Sequence, residues 1–382
     1  MTPKRKSDRR MTNIDFRLHF TAETGAAALI RIANEALAEG ARSLLLLAAD
    51  ANDCETEEID TWLRACPVPV FGGVFPQLIH DCQNREHGFI VAGLSETVEV
   101  HNIPGLSDPS SDYFETLEPL FGGKPEPVTL VVLVDGMGSG ISALLDSVFD
   151  VLGSEPVYFG GGAGSLSFVQ KPCLFSNEGM LTDYAQLTAL PLRLVLGVEH
   201  GWEKFAGPFV ATSGTRNIVA SLDFKPAFDV YQKFVEADSG KHFTNTNFFD
   251  IAKGYPFGME RPDGSIVVRD PITRDGTSMV CVGEVPINSV VYLLKGKPEN
   301  LIHAAARGAS RLPKGYGPAI MSDCISRVLY LGDDFAKEIE AIQGEVGPRP
   351  IFGMLTLGEI ANGGDRCLEF YNKTLVLAAT EY

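Results

Sequence analysis

The 382-residue chain has no apolar run approaching the roughly 18 to 20 residues that a membrane-spanning helix needs, so a soluble protein is expected. It also lacks positive charge. Lys and Arg number 32 against 49 Asp and Glu, and a formal charge of −17 opposes the fields of nucleic acids and anionic membranes, so neither is expected as a partner. Cysteine is sparse, with seven residues in an odd, irregular set that does not form a disulfide framework, which points to the reducing cytoplasm. Paired metal-ligand spacings are missing as well. His80, Cys82 and His87 crowd one stretch, but with no C-x-x-C or H-E-x-x-H they read as a polar loop, and no metal is expected.

What remains is ordinary globular material. Apolar residues make up 45% and charged residues 21%, enough to bury a large core, and the length exceeds the roughly 250 to 300 residues at which one core stops growing. Two domains are expected. A basic cluster, Lys4, Arg5, Lys6, Arg9 and Arg10, precedes Met11 with no apolar segment behind it, and reads as a solvated tail or an alternative start.

One pattern recurs. The apolar run at 43–49 is closed by Asp50, followed by helical spacing at Ile59, Trp62 and Leu63, then by a strand reaching Phe71-Gly72. The order returns from 128–134, closed by Asp135, through Ile141, Leu144, Leu145 and Val148 to Phe159-Gly160. A third pass runs from 319–323 through a helix around 333–342 to Phe352-Gly353. Pro256-Phe257-Gly258 marks a weaker fourth. The pattern is an internal repeat, and the fold class it predicts is α/β, with mixed sheets of strand-helix-strand units and helices on the outer faces. Pockets are expected where strand ends of adjacent copies meet.

The densest local signal is Phe159-Gly160-Gly161-Gly162-Ala163-Gly164-Ser165, which serves either as a backbone cradle for an anion or as a hairpin needing positive φ. It fails as a dinucleotide fingerprint because no helix follows, and no Gly-Lys-Ser or Gly-Lys-Thr makes it a Walker loop. Downstream, Ser322-Asp323-Cys324-Ile325-Ser326-Arg327 and Leu357-Gly358-Glu359 lie just beyond strands. Arg327 offers a fork for a carboxylate and Glu359 a site for an ammonium, which together suit an amino acid; an internal Arg–Glu ion pair is the alternative. Cys324 beside a positive charge is a candidate nucleophile for a hydrolase or transferase, although neither segment holds a histidine to act as base. His200, delivered by the apolar stretch 194–198 and followed by Gly201-Trp202, is either a core histidine or a haem axial ligand.

Taken in order, the glycine block, Lys225-Pro226-Ala227-Phe228, Tyr255-Pro256-Phe257-Gly258, Val268-Arg269-Asp270, the Cys324 to Arg327 step, Phe352-Gly353, Gly358-Glu359-Ile360 and Asn372-Lys373-Thr374 resemble the FIST family. The resemblance spans roughly residues 25 to 380. It implies a tail over 1–24, a FIST N-type module over 25–216 and a FIST C-type module over 217–382. One departure is that Ile325 and Ser326 fill a step where the family tends to have glycine. The family implies sensing of a small, amino-acid-like ligand; the glycine block and the paired opposite charges make Gly160, Gly161, Gly162, Gly164, Arg269, Cys324, Arg327 and Glu359 the binding candidates. It implies no cofactor, or, for a subset, haem that senses nitric oxide, with His200 as the ligand here. With no kinase, receiver or cyclase segment recognisable, the output is expected to go to a separate signalling protein such as a histidine kinase. An enzyme is not expected.

Overall fold

The computed structural model describes residues 15–52, 56–124, 127–363 and 368–380, so the basic cluster at 4–10 lies outside the described residues. Three six-stranded mixed sheets share one layout. In the first, Ser43–Ala49 lies parallel to Val70–Phe75; in the second, Thr129–Asp135 to Val157–Ala163; in the third, Ala319–Cys324 to Ile351–Thr356. Each first strand is flanked on its other side by an antiparallel one: Phe89–Leu94, Tyr184–Leu190 and Leu375–Thr380.

Alternation along the strands assigns the two faces of each sheet. Leu44, Leu46 and Ala48 pack outward under the helices Ala26–Ala38 and Thr56–Ala65, whereas Leu45, Leu47 and Ala49 join a central core. In the second sheet Leu130, Val132 and Val134 face the helix Ile141–Leu152, while Val131 and Leu133 turn inward. In the third, Ala319 and Met321 meet the helices Pro298–Ser310 and Phe335–Val346, and Ile320 turns inward. Phe71, Phe159 and Phe352 all reach the central core.

The glycine after each of these phenylalanines has one job. A β-carbon at Gly72, Gly160 or Gly353 would stand 1.9, 1.8 or 1.9 Å from the carbonyl oxygen of Leu46, Val132 or Met321 on the parallel neighbour. Only a residue without a side chain permits that approach. Gly258 differs, meeting the side chains of Ile266 and Leu294, because Phe257–Glu260 belongs to an antiparallel structure described below.

The hairpin after each Phe-Gly strand crosses to a neighbouring sheet. Gln77–His80 and Gln83–Arg85 extend the third sheet, Leu174–Ser176 and Gly179–Leu181 the first, and Glu359–Asn362 and Leu368–Tyr371 the second. The exchange is cyclic, so no sheet is complete without another's hairpin. The expected boundary near Arg216 falls in the tight turn between Glu203–Thr215 and Ile218–Leu222, within one hairpin.

That hairpin is part of an element the sequence did not announce. Glu203–Thr215, Val290–Lys295, Phe257–Glu260, Ile266–Asp275, Ser278–Val282 and Ile218–Leu222 pair antiparallel in succession, and the last pairs back on the first, closing a barrel. The helix Ala227–Ser239 packs against it, with Phe228, Tyr231, Phe243, Phe248 and Phe257 in mutual ring contact. No helix among the described residues is long and apolar enough to cross a membrane.

Gly160→Ala, Gly72→Ala and Gly353→Ala are each expected to lower stability by about 3 kcal/mol or more through overpacking. Gly344→Ala, in open space within Phe335–Val346, is expected to be neutral or stabilising by up to about 1 kcal/mol. Denaturant unfolding compares them, and a Gly160→Ala protein as stable as the wild type would contradict the close strand approach.

Candidate functional site

A cavity of about 430 Å³ opens beyond the carboxyl ends of the leading strands of the second and third sheets, against the barrel. Such strand ends are where open α/β sheets bind ligands. The second sheet contributes the turn Gly136 to Ser139, the start of the helix Ile141–Leu152, Leu166 and Phe168. From the barrel come Asp270, Ile272, Cys281, Val282 and Glu284, with Arg216 and Asn217 in its hairpin. The third sheet and its connections add Cys324, Ile325, Ser326 and Leu357, and Asn372 completes the wall. The helix Ile141–Leu152 has no side-chain cap and no acid in its first turn.

The C-terminal motifs converge behind this wall. Lys373 places its ammonium 3.2 Å from Asp270 Oδ2, and Ser326 Oγ donates to the same oxygen at 2.7 Å. Burial pushes the Asp270 carboxyl up, opposed by Lys373 and Ser326. Arg269 donates to the carbonyls of Glu284 (2.8 Å), Val268 (3.0 Å) and Phe370 (2.9 Å), and burial lowers it to about 10. It does not border the cavity but fixes Glu284 and Phe370, which do.

Arg327 and Glu359 are not where an exposed amino-acid site would need them. Both are fully buried, neither borders the cavity, and they do not pair with each other. The Arg327 guanidinium lies 2.6 Å from Glu338 Oε2 and 3.2 Å from Asp323 Oδ1, and donates to the carbonyl of His200 at 2.6 Å. Weaker contacts reach the carbonyls of Leu301 and Lys373. Burial lowers its pKa, but Glu338 and Asp323 outweigh this and the net shift is upward. Asp323 is pushed well up, first by burial and then by Glu338. Glu359 accepts from Thr356 Oγ1 at 2.8 Å and from the Thr374 amide at 3.1 Å, and burial pushes it up to about 8.

The glycine block is a packing junction and not an anion cradle. Gly160, Gly161, Gly162 and Gly164 lie off the cavity, and their backbone is already engaged: the Gly162 amide donates to the Gly358 carbonyl at 2.8 Å and the Gly164 amide to the Val74 carbonyl at 2.8 Å. A β-carbon at Gly161 would press on Thr356 and one at Gly162 on the Leu357 carbonyl, so the glycines let the second and third sheets touch.

Cys324 does border the cavity, at the junction of Ala319–Cys324 and the helix Ile325–Leu331. Burial, with Glu359 and Asp270 adding to it, pushes its thiol well up, the opposite of an activated thiolate. His200 accepts the Trp202 amide at Nδ1 (3.0 Å), burial lowers it to about 4, and it does not border the cavity. A β-carbon at Gly201 would strike the backbone of Asn300 and Leu301, so chain packs closely against the residue that follows this imidazole. His80 stacks on Phe20 at 4.0 Å, Cys82 donates to Gln343, and no group of three or more metal-binding side chains occurs among the described residues.

A family model for the FIST N domain matches residues 43–225, and one for the FIST C domain matches residues 227–362. The chain belongs to the FIST family. FIST domains are sensory signal-transduction domains that bind small ligands. A search of curated proteins found no match. In this FIST protein both matched stretches build the second and third sheets and the barrel, and both wall the cavity. Asp270 and Asn372 line the cavity but are not among the residues singled out in the sequence, where they stand inside Val268-Arg269-Asp270 and Asn372-Lys373-Thr374 and only Arg269 is a candidate.

Arg327→Met leaves Glu338 buried without its cation and is expected to lower stability by about 3 to 5 kcal/mol. Thermal unfolding beside Arg307→Met, whose partner is at the surface, provides the comparison. Glu359 carries a pH signature. Its carboxyl, near 4.5 when unfolded and about 8 when folded, contributes stability that is full below about 4.5 and lost as pH rises through about 8. The difference in melting temperature between wild type and Glu359→Gln is therefore expected to shift in the variant's favour from pH 5 to pH 8.5, and a constant difference would show the carboxyl ionised throughout.

Proposed function

We propose that this FIST protein is a sensor whose small ligand binds in the cavity between the second sheet, the third sheet and the barrel, and which signals to a separate protein such as a histidine kinase. The observation that carries this reading is the cavity itself. Its volume of about 430 Å³ lies in the range of small-molecule sites, and its walls draw on both FIST domains. An amino-acid-like ligand, the class the family resemblance implies, would meet Asp270, Asn372 and the start of Ile141–Leu152 there, and not Arg327 or Glu359. The apolar lining includes Ile141, Leu166, Ile272, Leu329, Leu357 and Phe370.

The test is a thermal-shift screen of a metabolite library, followed by calorimetry on wild type and Ser142→Trp. Ser142 borders the cavity from the first turn of its helix, so an indole there occupies the ligand's volume while leaving the buried ion pairs intact. A ligand of this cavity is expected to lose at least tenfold in affinity. Equal affinity for the two folded proteins would move the site elsewhere.

A further inference from the structure

Among the described residues, two acceptor oxygens on side chains that line the cavity have no hydrogen-bond donor. Asp270 is 1% exposed and its Oδ2 takes both Ser326 and Lys373, whereas its Oδ1 has no hydrogen-bond partner. Asn372, also 1% exposed, gives its amide N–H to the Tyr371 carbonyl at 2.9 Å, which fixes which end of the side chain is nitrogen, and its Oδ1 is likewise unpartnered. Asn372 directly precedes Lys373, whose ammonium lies 3.2 Å from Asp270 Oδ2, and Asp270 and Asn372 both line the cavity. Buried acceptors without donors are exceptional in folded proteins, and two together on one cavity wall mark a place where something else supplies the donors.

We infer that the ligand is a protonated primary amine on an apolar body, its ammonium held by Asp270 Oδ1 and Asn372 Oδ1. A carboxylate or phosphate head brings only acceptors to these two oxygens, and a hydroxyl brings one proton for both. An ammonium brings three donors and a charge that strengthens its bond to a carboxylate. Lys373 does not line the cavity and pairs with Oδ2 of Asp270, which leaves Oδ1 without a donor. Arg216 is exposed and Glu284 half-buried, so neither presents a buried charge that competes for this head. The apolar side chains of Ile141, Ile272 and Phe370 receive the remainder.

This inference rests on the cavity being the ligand site, and the experiment separates the two. Calorimetry compares phenethylamine and isopentylamine with the alcohol and carboxylic acid of matched shape. The amines are expected to bind, the alcohols at least tenfold more weakly, and the acids not at all. Asp270→Asn is expected to weaken the amines at least tenfold while leaving the alcohols unchanged. Should that variant fail to fold with Lys373 unpaired, Asn372→Leu, which keeps the Asp270–Lys373 pair, is expected to weaken the amines alone. Alcohols or acids that bind as tightly as the amines overturn the inference, as does an amine series that fails to bind. A different compound class that binds wild type and is lost in Ser142→Trp overturns the amine head and leaves the cavity reading standing, whereas a ligand indifferent to Ser142→Trp removes the cavity itself.

Discussion

One guanidinium holds the C-terminal half of this protein in register. Arg327 lies in the first turn of the helix that follows a buried strand, and its five donors reach a helix through Glu338, the strand end through Asp323, and three carbonyls on separate segments at His200, Leu301 and Lys373. A buried ion pair of this kind contributes little net stability against an apolar replacement, but it tolerates only one arrangement of the segments that supply its partners. The consequence reaches the cavity. Lys373, positioned in part by its carbonyl contact with Arg327, delivers the ammonium to Asp270 and sets Asn372 beside it. The arginine thus shapes the wall without touching the space it encloses.

Much of the three-sheet framework was legible because its determinants are local. Strand, closing acid, helical spacing and Phe-Gly are readable in a single pass, and each has a mechanical counterpart: alternation divides the faces, and the glycine admits a neighbouring carbonyl. The helices Ala26–Ala38 and Pro298–Ser310 lie outside the repeated pattern, preceding the strand that opens each unit. The barrel was hidden. Glu203–Thr215 carries one buried residue among thirteen, and although its end turns locally into Ile218–Leu222, its other edge is set by the distant strand Val290–Lys295. Register of that kind is set by tertiary pairing, which no local window contains.

Site residues were harder still. Arg327, Arg269 and Glu359 drew attention because charge in a glycine-rich or strand-end setting suits ligand recognition, yet all three are satisfied internally. Sequence alone cannot distinguish an arginine that meets a ligand from one that meets main-chain carbonyls, because the same fork geometry serves both. Asp270 and Asn372 emerged only from counting which buried oxygens lack a donor. That deficit is a property of three-dimensional neighbours, and neither residue type announces it.

The cyclic exchange of hairpins bears on how a signal could leave the cavity. A ligand shifts an equilibrium only by the difference in its contacts between two states, so the walls must belong to bodies able to change their relation. Here the walls come from the second sheet, the third sheet and the barrel, while the hairpins tie the three sheets to one another. Relative motion among the sheets would break ladders at three places. Among the described residues the barrel shares no strand ladder with any of the three sheets, and meets them through side chains and through contacts such as Arg269 to the Phe370 carbonyl. Of the bodies around the cavity it is the one whose displacement breaks the fewest backbone bonds, and Asp270 stands on it while Ser326 and Lys373 stand on the other side of that boundary. A ligand bound across Asp270 and Asn372 would bridge the same boundary, adding donors where the protein alone leaves two acceptors unsatisfied, and would thereby favour the state in which barrel and sheets are closed on each other.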